Sequence, residues 1–181
     1  IGGLGLTGVI GWVEFKLLKI NSSFVDKEII RFNQLAEFFE LSEQLDKKYS
    51  YTVAWIDCLA KASQLGRGVF FAGNHREDGK LQLATNKKLI VPFYPPISLV
   101  NKLSLKPLNN LYFRLHPKHK RVVSDYDKFF YPLDNILYWN RIYGKKGFQQ
   151  YQCVIPKLDA EIIMQEILTT IAKHQTGSFL A

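Results

Sequence analysis

Segments with helical periodicity alternate with short β-rich segments along this chain, which limits it to folds that combine helices with a sheet. Apolar residues recur at helical spacing over residues 25–48, where Asp26 is the expected N-cap, and over residues 159–174. Residues 51–57 and 67–72 are instead rich in β-branched and aromatic side chains and predict strands. Together these segments predict an α+β fold, with a mostly antiparallel sheet and helices packed on one face.

The rest of the chain carries weaker structural signals. Four further segments predict strands, at residues 9–18, 122–131, 147–155 and 178–181. A short helix is expected within residues 101–115, where Pro107 would limit its length. Residues 133–143 predict a helical turn that packs Trp139, and the proline-rich residues 74–98 predict an irregular loop.

The composition is that of a folded domain. The chain has 181 residues, of which 47% are hydrophobic and 14% aromatic, enough for one well-buried core. No apolar run approaches the ~20 residues of a membrane-spanning helix. No basic segment precedes the glycine-rich start, so no signal peptide is expected. Because the chain does not begin with Met, we expect it to be a piece of a longer protein.

The number of cysteines indicates the cellular compartment, and the net charge limits the classes of binding partner. Cys58 and Cys153 are too few for a disulfide framework in a domain of this size, and they suit a reducing, cytoplasmic compartment. The net charge is +8, and short basic groups of this kind suit solvated loops, a phosphate ligand or an anionic membrane surface. No recognition helix, zinc finger or RNA-binding signature accompanies them, so no nucleic-acid partner is expected. His116 and His119 are separated by a proline, and no metal site is predicted.

The glycine-rich start has the spacing of a dinucleotide-binding motif. Gly3, Gly5 and Gly8 satisfy GxGxxG, but that motif needs a strand before it and a helix after it. Here the glycines precede a β-branched and aromatic segment. The pattern therefore favours a tight glycine turn that enters a strand.

Three glutamines lie in the segment 147–155, although glutamine is a poor strand former. Gln150 and Gln152 are two positions apart, so their side chains would leave the same face of a strand. That face is either solvated or the polar wall of a pocket for a polyhydroxylated ligand. The spacing alone favours the solvated face. Similarly, Trp55 shares a strand face with Tyr51 and Val53, where it suits either the core or a ligand pocket.

Five blocks of the sequence, taken in order, resemble the FAD-linked sugar oxidases of the vanillyl-alcohol oxidase superfamily. The resemblance is strongest to the branch that oxidises a polyprenyl-phosphate-linked ribose. The blocks are GGLGLTGVI, YTVAWIDCLAKASQLGRGVF, FFYPLDNILYWNRIYG, GFQQYQCVIP and GSFLA. They span nearly the whole chain, which makes their collinearity more specific than any single motif.

The resemblance implies a domain division and a set of site residues. Residues 1–20 would close the FAD-binding domain, and residues 21–181 would form a substrate-binding cap domain that is incomplete at its C-terminus. The implied flavin contacts are Thr7, Gly8 and Ile10. The implied substrate-binding residues are Trp55, Phe130, Leu133, Gln150 and Gln152. No catalytic residue is expected in this chain, because the family supplies its lysine beyond the position of residue 181.

The implied activity is that of an FAD-dependent oxidoreductase, which transfers a hydride from a sugar-type secondary alcohol to flavin. The full-length protein would bind FAD, whereas this chain alone would be inactive and without FAD. A polyprenyl-phosphate sugar substrate, a partner reductase and contact with a membrane surface also follow from the resemblance. Val53 and Phe130 stand where the family carries polar side chains, so the substrate can differ. The alternatives are a sugar-lactone or alditol oxidase of the same superfamily, and a non-enzymatic basic α+β interaction module.

Overall fold

A four-stranded antiparallel sheet forms the centre of the computed structural model, which describes residues 5–84, 88–96, 98–148, 150 and 152–174. Its strands are β1 (Phe24–Phe32), β2 (Tyr51–Ile56), β3 (Gly68–His75) and β5 (His119–Asp125). The strand order is β2-β3-β1-β5, and each neighbouring pair is antiparallel. A separate parallel pair joins β4 (Leu89–Ile90) to β6 (Ile136–Leu137).

Four α-helices accompany the sheet in the described part of the chain. They are α1 (Leu35–Leu45), α2 (Lys102–Leu115), α3 (Tyr126–Phe130) and α4 (Ala160–His174). Short 3₁₀ segments lie at Ala62–Gln64, Pro132–Asn135, Trp139–Tyr143 and Lys157–Asp159. The predicted α+β class, with its mostly antiparallel sheet, is confirmed.

One face of the sheet, here called the core face, is covered by α1 and α4. The ring of Phe38 on α1 lies 5.8 Å from that of Phe32 and 5.9 Å from that of Phe70. Leu168 of α4 joins Leu35 of α1 in the same buried cluster. Full burial of each such side chain stabilises the fold by about 1.5–3 kcal/mol, so this packing sets the position of both helices.

The sequence predicted that all helices pack on one face of the sheet, but α2 and α3 also contact the other face. Tyr112 of α2 contacts Trp55, and Phe130 of α3 contacts Tyr51. Phe70 and Ala72 of β3 project into the core cluster, so Val69 and Gly73, which alternate with them, project from the other side of the sheet. Trp55 and Tyr51 lie opposite Val69 and Gly73 and therefore also point away from the core face. We call this second side the open face.

The predicted helix over residues 25–48 is wrong in its first half. Residues 24–32 form β1, which hydrogen-bonds to β3 on one side and β5 on the other, and Asp26 lies within this strand and caps no helix. The β-branched and aromatic residues of this segment suit a central strand. The apolar residues of β1 run directly into those of α1, which is an amphipathic helix, so the two segments together showed one continuous helical pattern. A carboxylate oxygen of Glu37 accepts the Asn33 backbone N–H at 2.8 Å at the start of that helix.

Two other predicted strands are absent from the described residues. Residues 9–18 have no regular structure and are exposed, with the Trp12 side chain 80% accessible. Described residues 147, 148, 150 and 152–155 likewise form no strand. A strand needs a neighbour for its backbone N–H and C=O groups, and no described segment pairs with either one. The predicted strand at residues 178–181 lies outside the described residues.

Two boundaries also differ from the prediction. Helix α2 continues through Pro107 for 14 residues, and Asn101 begins it with a capping box formed with Ser104. The predicted strand at 122–131 is divided into β5 and α3, since the chain turns into a helix at Tyr126. The strands at 51–57 and 67–72, the helix at 159–174 and the turn that packs Trp139 are confirmed.

Candidate functional site

The floor of the open face is set by the strand register. Tyr51 of β2 lies opposite Gly73 of β3, and Gly73 lies opposite Lys27 of β1. In the next row, Val53 lies opposite Phe71. Residues directly opposite each other in antiparallel strands project from the same face. The floor therefore combines aromatic and aliphatic side chains with Lys27, and Val53 remains 54% exposed.

Helix α2 borders this floor on one side through a run of stacked rings. The Tyr112 ring lies 4.6 Å from that of Trp55 and 4.5 Å from that of His116, and the His116 ring lies 5.6 Å from that of Phe71. Burial raises the pKa of Tyr112, so its phenol stays protonated at neutral pH. The run connects Trp55 to the centre of the open face.

Helix α3 borders the floor on the opposite side. The Phe130 ring meets that of Tyr51 edge to face at 4.8 Å and lies 5.8 Å from that of His75. Phe129 sits directly over Gly73, where a Cβ atom would come within 2.9 Å of the Phe129 ring. Gly73 therefore permits the close approach of α3 to the sheet.

Lys27 and Arg31 both lie on the open face of β1. Arg31 donates to the main-chain carbonyls of Phe113 and His116, whereas Lys27 is half-buried beside two aromatic rings. The Lys27 Nζ lies 4.3 Å from the centroid of the Phe71 ring and 5.9 Å from that of Phe129. Burial lowers the pKa of Lys27. No carboxylate among the described residues forms an ion pair with it.

A buried polar network fixes α2 to the sheet. The Asp57 carboxylate, 2% exposed, accepts hydrogen bonds from Arg67 Nε at 3.0 Å and Arg67 Nη2 at 2.8 Å. Its other oxygen accepts from Asn109 Nδ2 of α2 at 2.8 Å and from the Leu59 backbone N–H at 3.1 Å. The Asn109 Oδ1 atom has no hydrogen-bond partner among the described residues. This network places the ring-bearing face of α2 beside Trp55.

A second carboxylate, Glu28, lies buried on the core face. Tyr49 donates a hydrogen bond to it, His119 Nε2 lies 2.5 Å from Oε1, and Arg121 Nη2 donates to Oε1 at 3.3 Å. Burial alone would raise the pKa of Glu28, but these hydrogen bonds and the charge of Arg121 lower it to about 2. The carboxylate therefore stays ionised and holds β5 to β1 through side chains as well as backbone.

The structure brings together only some of the predicted site residues. Trp55 and Phe130 border the same open face, although they lie on different elements. Leu133, half-buried, follows in the 3₁₀ segment after α3. Gln150 and Gln152 are exposed and outside any strand, so the shared strand face on which their pairing was argued is not formed.

The predicted flavin contacts lie in the exposed N-terminal segment. Thr7, Gly8 and Ile10 are all exposed, and Ile10 is 63% accessible. Gly5 and Gly8 have φ angles of 77° and 140°, which suit glycine and confirm a glycine turn at this position. None of the described interactions joins this turn to the open face.

Sequence reasoning missed several residues that shape the open face, above all Lys27, Phe71, Tyr112 and His116. Lys27 was hidden by the incorrect helix over residues 25–48. Tyr112 and His116 are four positions apart, which is the spacing of one helical face, and this signal was available in the sequence. Their contact with Trp55 and Phe71 depends on tertiary packing and carries no local signal.

The described residues offer neither a cluster of metal ligands nor a membrane-spanning helix. Among them there is no group of three or more His, Cys, Asp or Glu side chains placed to hold a metal ion. No helix in the described ranges has both the length and the apolarity needed to cross a membrane.

Comparison with known proteins agrees with the resemblance found in the sequence blocks. No protein-family model matches the chain. The chain is 28% identical over 190 residues to the decaprenylphosphoryl-beta-D-ribose oxidase of Mycolicibacterium smegmatis. The match covers 99% of this chain and 41% of that protein, so the chain spans less than half the length of its relative. The predicted resemblance is confirmed: almost the whole chain is similar to one part of a decaprenylphosphoryl-ribose oxidase.

Proposed function

We propose that the full-length protein is an FAD-dependent oxidoreductase and that residues 21–181 belong to its substrate-binding cap domain. Its reaction would be the oxidation of a sugar-type secondary alcohol, with hydride transfer to flavin. The observation that carries this proposal is the position of Trp55 and Phe130, which border one open, aromatic sheet face from two different elements. The similarity to an oxidase over 99% of the chain supports the reaction class.

The N-terminal segment fits a flavin that is contacted mainly through the backbone. A Cβ atom built at Gly5 or Gly8 would meet nothing within 4 Å, so the turn offers open main chain. We assign Thr7, Gly8 and Ile10 to this contact, with residues 1–20 as the C-terminal end of the FAD-binding domain. When bound, FAD would supply the hydride acceptor. This chain's own residues would orient the alcohol and exclude water.

The apolar residues of the site would hold the sugar ring. Trp55 offers an aromatic face to the CH groups of a sugar, and Phe130 and Leu133 would extend that wall. Phe130 has no hydroxyl with which to bind a sugar oxygen. These apolar side chains would therefore select the substrate by its shape and would exclude water. The hydroxyl groups of the sugar must be bound by other side chains.

Gln150 and Gln152 are proposed to supply that polar recognition. Each amide carries two N–H donors and one acceptor oxygen. Among the described residues neither amide makes a hydrogen bond, and both are exposed, so the groups are available to a ligand. We propose that they bind sugar hydroxyls once the remainder of the protein closes over this segment.

The proposed substrate is a sugar joined to a polyprenyl phosphate, since the relative's name describes such a molecule. A long prenyl chain remains in a bilayer, so the enzyme would work at the cytoplasmic surface of a membrane. The net charge of +8 favours approach to an anionic surface. We also propose a partner reductase, which would return the oxidised sugar to an alcohol of inverted configuration.

The glutamine pair provides the test. In the full-length enzyme, replacing both Gln150 and Gln152 by Leu should lower kcat/KM about 10- to 100-fold, because each net hydrogen bond contributes about 0.5–1.5 kcal/mol. The matched control is Gln165→Leu, at an exposed position of α4, which should leave kcat/KM unchanged. Equal kcat/KM for the double variant and the control would contradict the assigned role.

Oxidation of a sugar lactone or an alditol remains a second candidate reaction, favoured by the absence of a hydroxyl at Phe130. Comparing flavin reduction by a polyprenylphosphoryl sugar, a free alditol and a sugar lactone separates these substrates. A colourless full-length protein that retards nucleic acid on a gel would instead support a basic interaction module.

A further inference from the structure

The environment of Lys27 is unusual for a lysine of this protein. Its side chain is half-buried on the open face, where the ammonium lies 4.3 Å from the centroid of the Phe71 ring and 5.9 Å from that of the Phe129 ring. A ring face attracts a cation but does not neutralise it. Loss of hydration without a counter-ion disfavours the charged form, and the lowered pKa of Lys27 follows from this burial.

Other enclosed cations of the described structure have partners. Arg67 is paired with Asp57 at 2.8 Å, and Arg76 is paired with Asp26 at 2.9 Å. Arg31 donates to the main-chain carbonyl of His116 at 3.2 Å. Lys27 is the exception among these described side chains, so its environment is complete only when an anion is added.

A second lysine lies beside it on the same face. Lys27 is opposite Val122, and Ile29 is opposite Lys120. Lys27 and Lys120 are therefore diagonal neighbours across β1 and β5, a spacing of roughly 7–8 Å that long side chains can reach across. Lys120 also forms no ion pair within the described ranges. Two like charges at this separation repel each other unless an anion lies between them.

The basic residues that flank Lys120 do not share this arrangement. His119 and Arg121 project from the other side of β5 and bind Glu28 on the core face. The alternation of the strand thus separates a neutralised cluster on the core face from an unneutralised lysine pair on the open face. The unneutralised pair therefore lies on the same face as the aromatic floor.

We propose that Lys27, assisted by Lys120, binds the phosphate group of the substrate on the open face. This inference rests on the proposed function, because it places the phosphate on the same face as Trp55 and Phe130. Lys27 would donate to the phosphate oxygens above the Phe71 ring. Lys120 would add a second, solvent-exposed positive charge. The rest of the ligand would lie along the aromatic floor.

The test measures binding to the full-length protein by calorimetry, with four probes: farnesyl phosphate, ribose 5-phosphate, inorganic phosphate and uncharged farnesol. Lys27→Met should weaken binding of the phosphate probes about 10- to 100-fold, the usual loss for a charge-assisted hydrogen bond. Lys27→Arg keeps the charge and should retain affinity within a few-fold. Lys61→Met, at an exposed lysine elsewhere, should match the wild type. Binding of farnesol should be the same in all variants.

The pattern across probes identifies the source of the phosphate. Tighter binding of farnesyl phosphate than of ribose 5-phosphate assigns the site to a lipid-linked phosphate, and the reverse order assigns it to a soluble sugar phosphate. Equal affinity of wild type and Lys27→Met for every phosphate probe would overturn the inference, as would wild-type protein that binds none of them.

The test separates this inference from the proposed function. If the full-length protein holds no flavin and oxidises no alcohol, the proposed function fails. A selective loss of phosphate binding in Lys27→Met would still support the lysine site. If flavin is reduced normally but the Lys27→Met variant binds phosphate like the wild type, only the lysine site fails.

Discussion

At the scale of single residues, Asp57, Glu28 and Lys27 are buried or half-buried ionisable groups that are stabilised in different ways. Asp57 is neutralised by one arginine that donates twice to the same oxygen, Glu28 by several donors together, and Lys27 by no carboxylate in the described ranges. Buried charges are tolerated when they are paired and hydrogen-bonded. The first two groups therefore have structural roles, and the third suits a ligand.

The pH dependence of stability follows from Glu28. Its folded-state pKa of about 2 lies below its ordinary value, so its contribution is fully present above about pH 4.5 and is lost as the pH falls toward 2. The shift corresponds to about 3 kcal/mol. The Tm of the wild-type protein should fall steeply over this acidic range, and the Tm of Glu28→Gln should fall less.

The control for this experiment is Glu40→Gln, at an exposed position of α1. It should reproduce the wild-type dependence of Tm on pH. Parallel curves for wild type and Glu28→Gln would show that Glu28 has no depressed pKa in the folded protein.

Residues of the site were predictable only where a residue type had a strong local signature. Trp55 could be assigned to a strand face because β2 is a short β-rich segment with clear boundaries. Lys27 could not be found, since its importance lies in the absence of a neighbouring carboxylate, which is a property of the folded molecule.

At the scale of elements, α2 determines whether the open face has a wall. Its contact with the sheet combines the Trp55–Tyr112 ring pair with the hydrogen bond from Asn109 to Asp57. Asn109 is 1% exposed, so the amide has no water as an alternative partner. The helix is further held by Leu105, which lies in the core cluster, and by the hydrogen bond from Arg31 to the His116 carbonyl.

Removing the charge of Asp57 should release α2. Asp57→Asn leaves the Arg67 guanidinium enclosed without its counter-ion, and breaking a buried ion pair costs about 3–5 kcal/mol. We expect faster hydrogen–deuterium exchange at the amides of α2 in the full-length protein. The exposed pair of Glu43 and Lys47 provides the comparison, because Glu43→Gln should change exchange little. Equal exchange of α2 in both variants would contradict the role given to Asp57.

The sequence predicted isolated elements better than their limits. The prediction of helix α4 was correct because no other apolar pattern adjoins the apolar stripe of this helix. In residues 25–48, by contrast, a central strand and an amphipathic helix follow each other after two residues, Asn33 and Gln34. A continuous apolar pattern hid the boundary, and only pairing with β3 and β5 determines that the first half is a strand.

At the scale of the whole molecule, the open face and the N-terminal segment both leave apolar surface uncovered. Trp12 and Phe15 are 80% and 74% exposed, and Val53 is more than half exposed on the sheet. Large contiguous apolar surface usually marks an interface or a binding site. The relative is more than twice as long as this chain. We propose that the flavin-binding part of the full-length protein covers these surfaces.

The most direct measurement of the central claim is anaerobic flavin absorbance of the purified full-length protein, recorded before and after addition of a polyprenylphosphoryl ribose. We predict a yellow protein whose visible flavin absorbance is bleached by this substrate, and bleached far more slowly when Trp55 is replaced by Ala. A colourless protein, or a flavoprotein that no sugar alcohol reduces, would contradict this prediction.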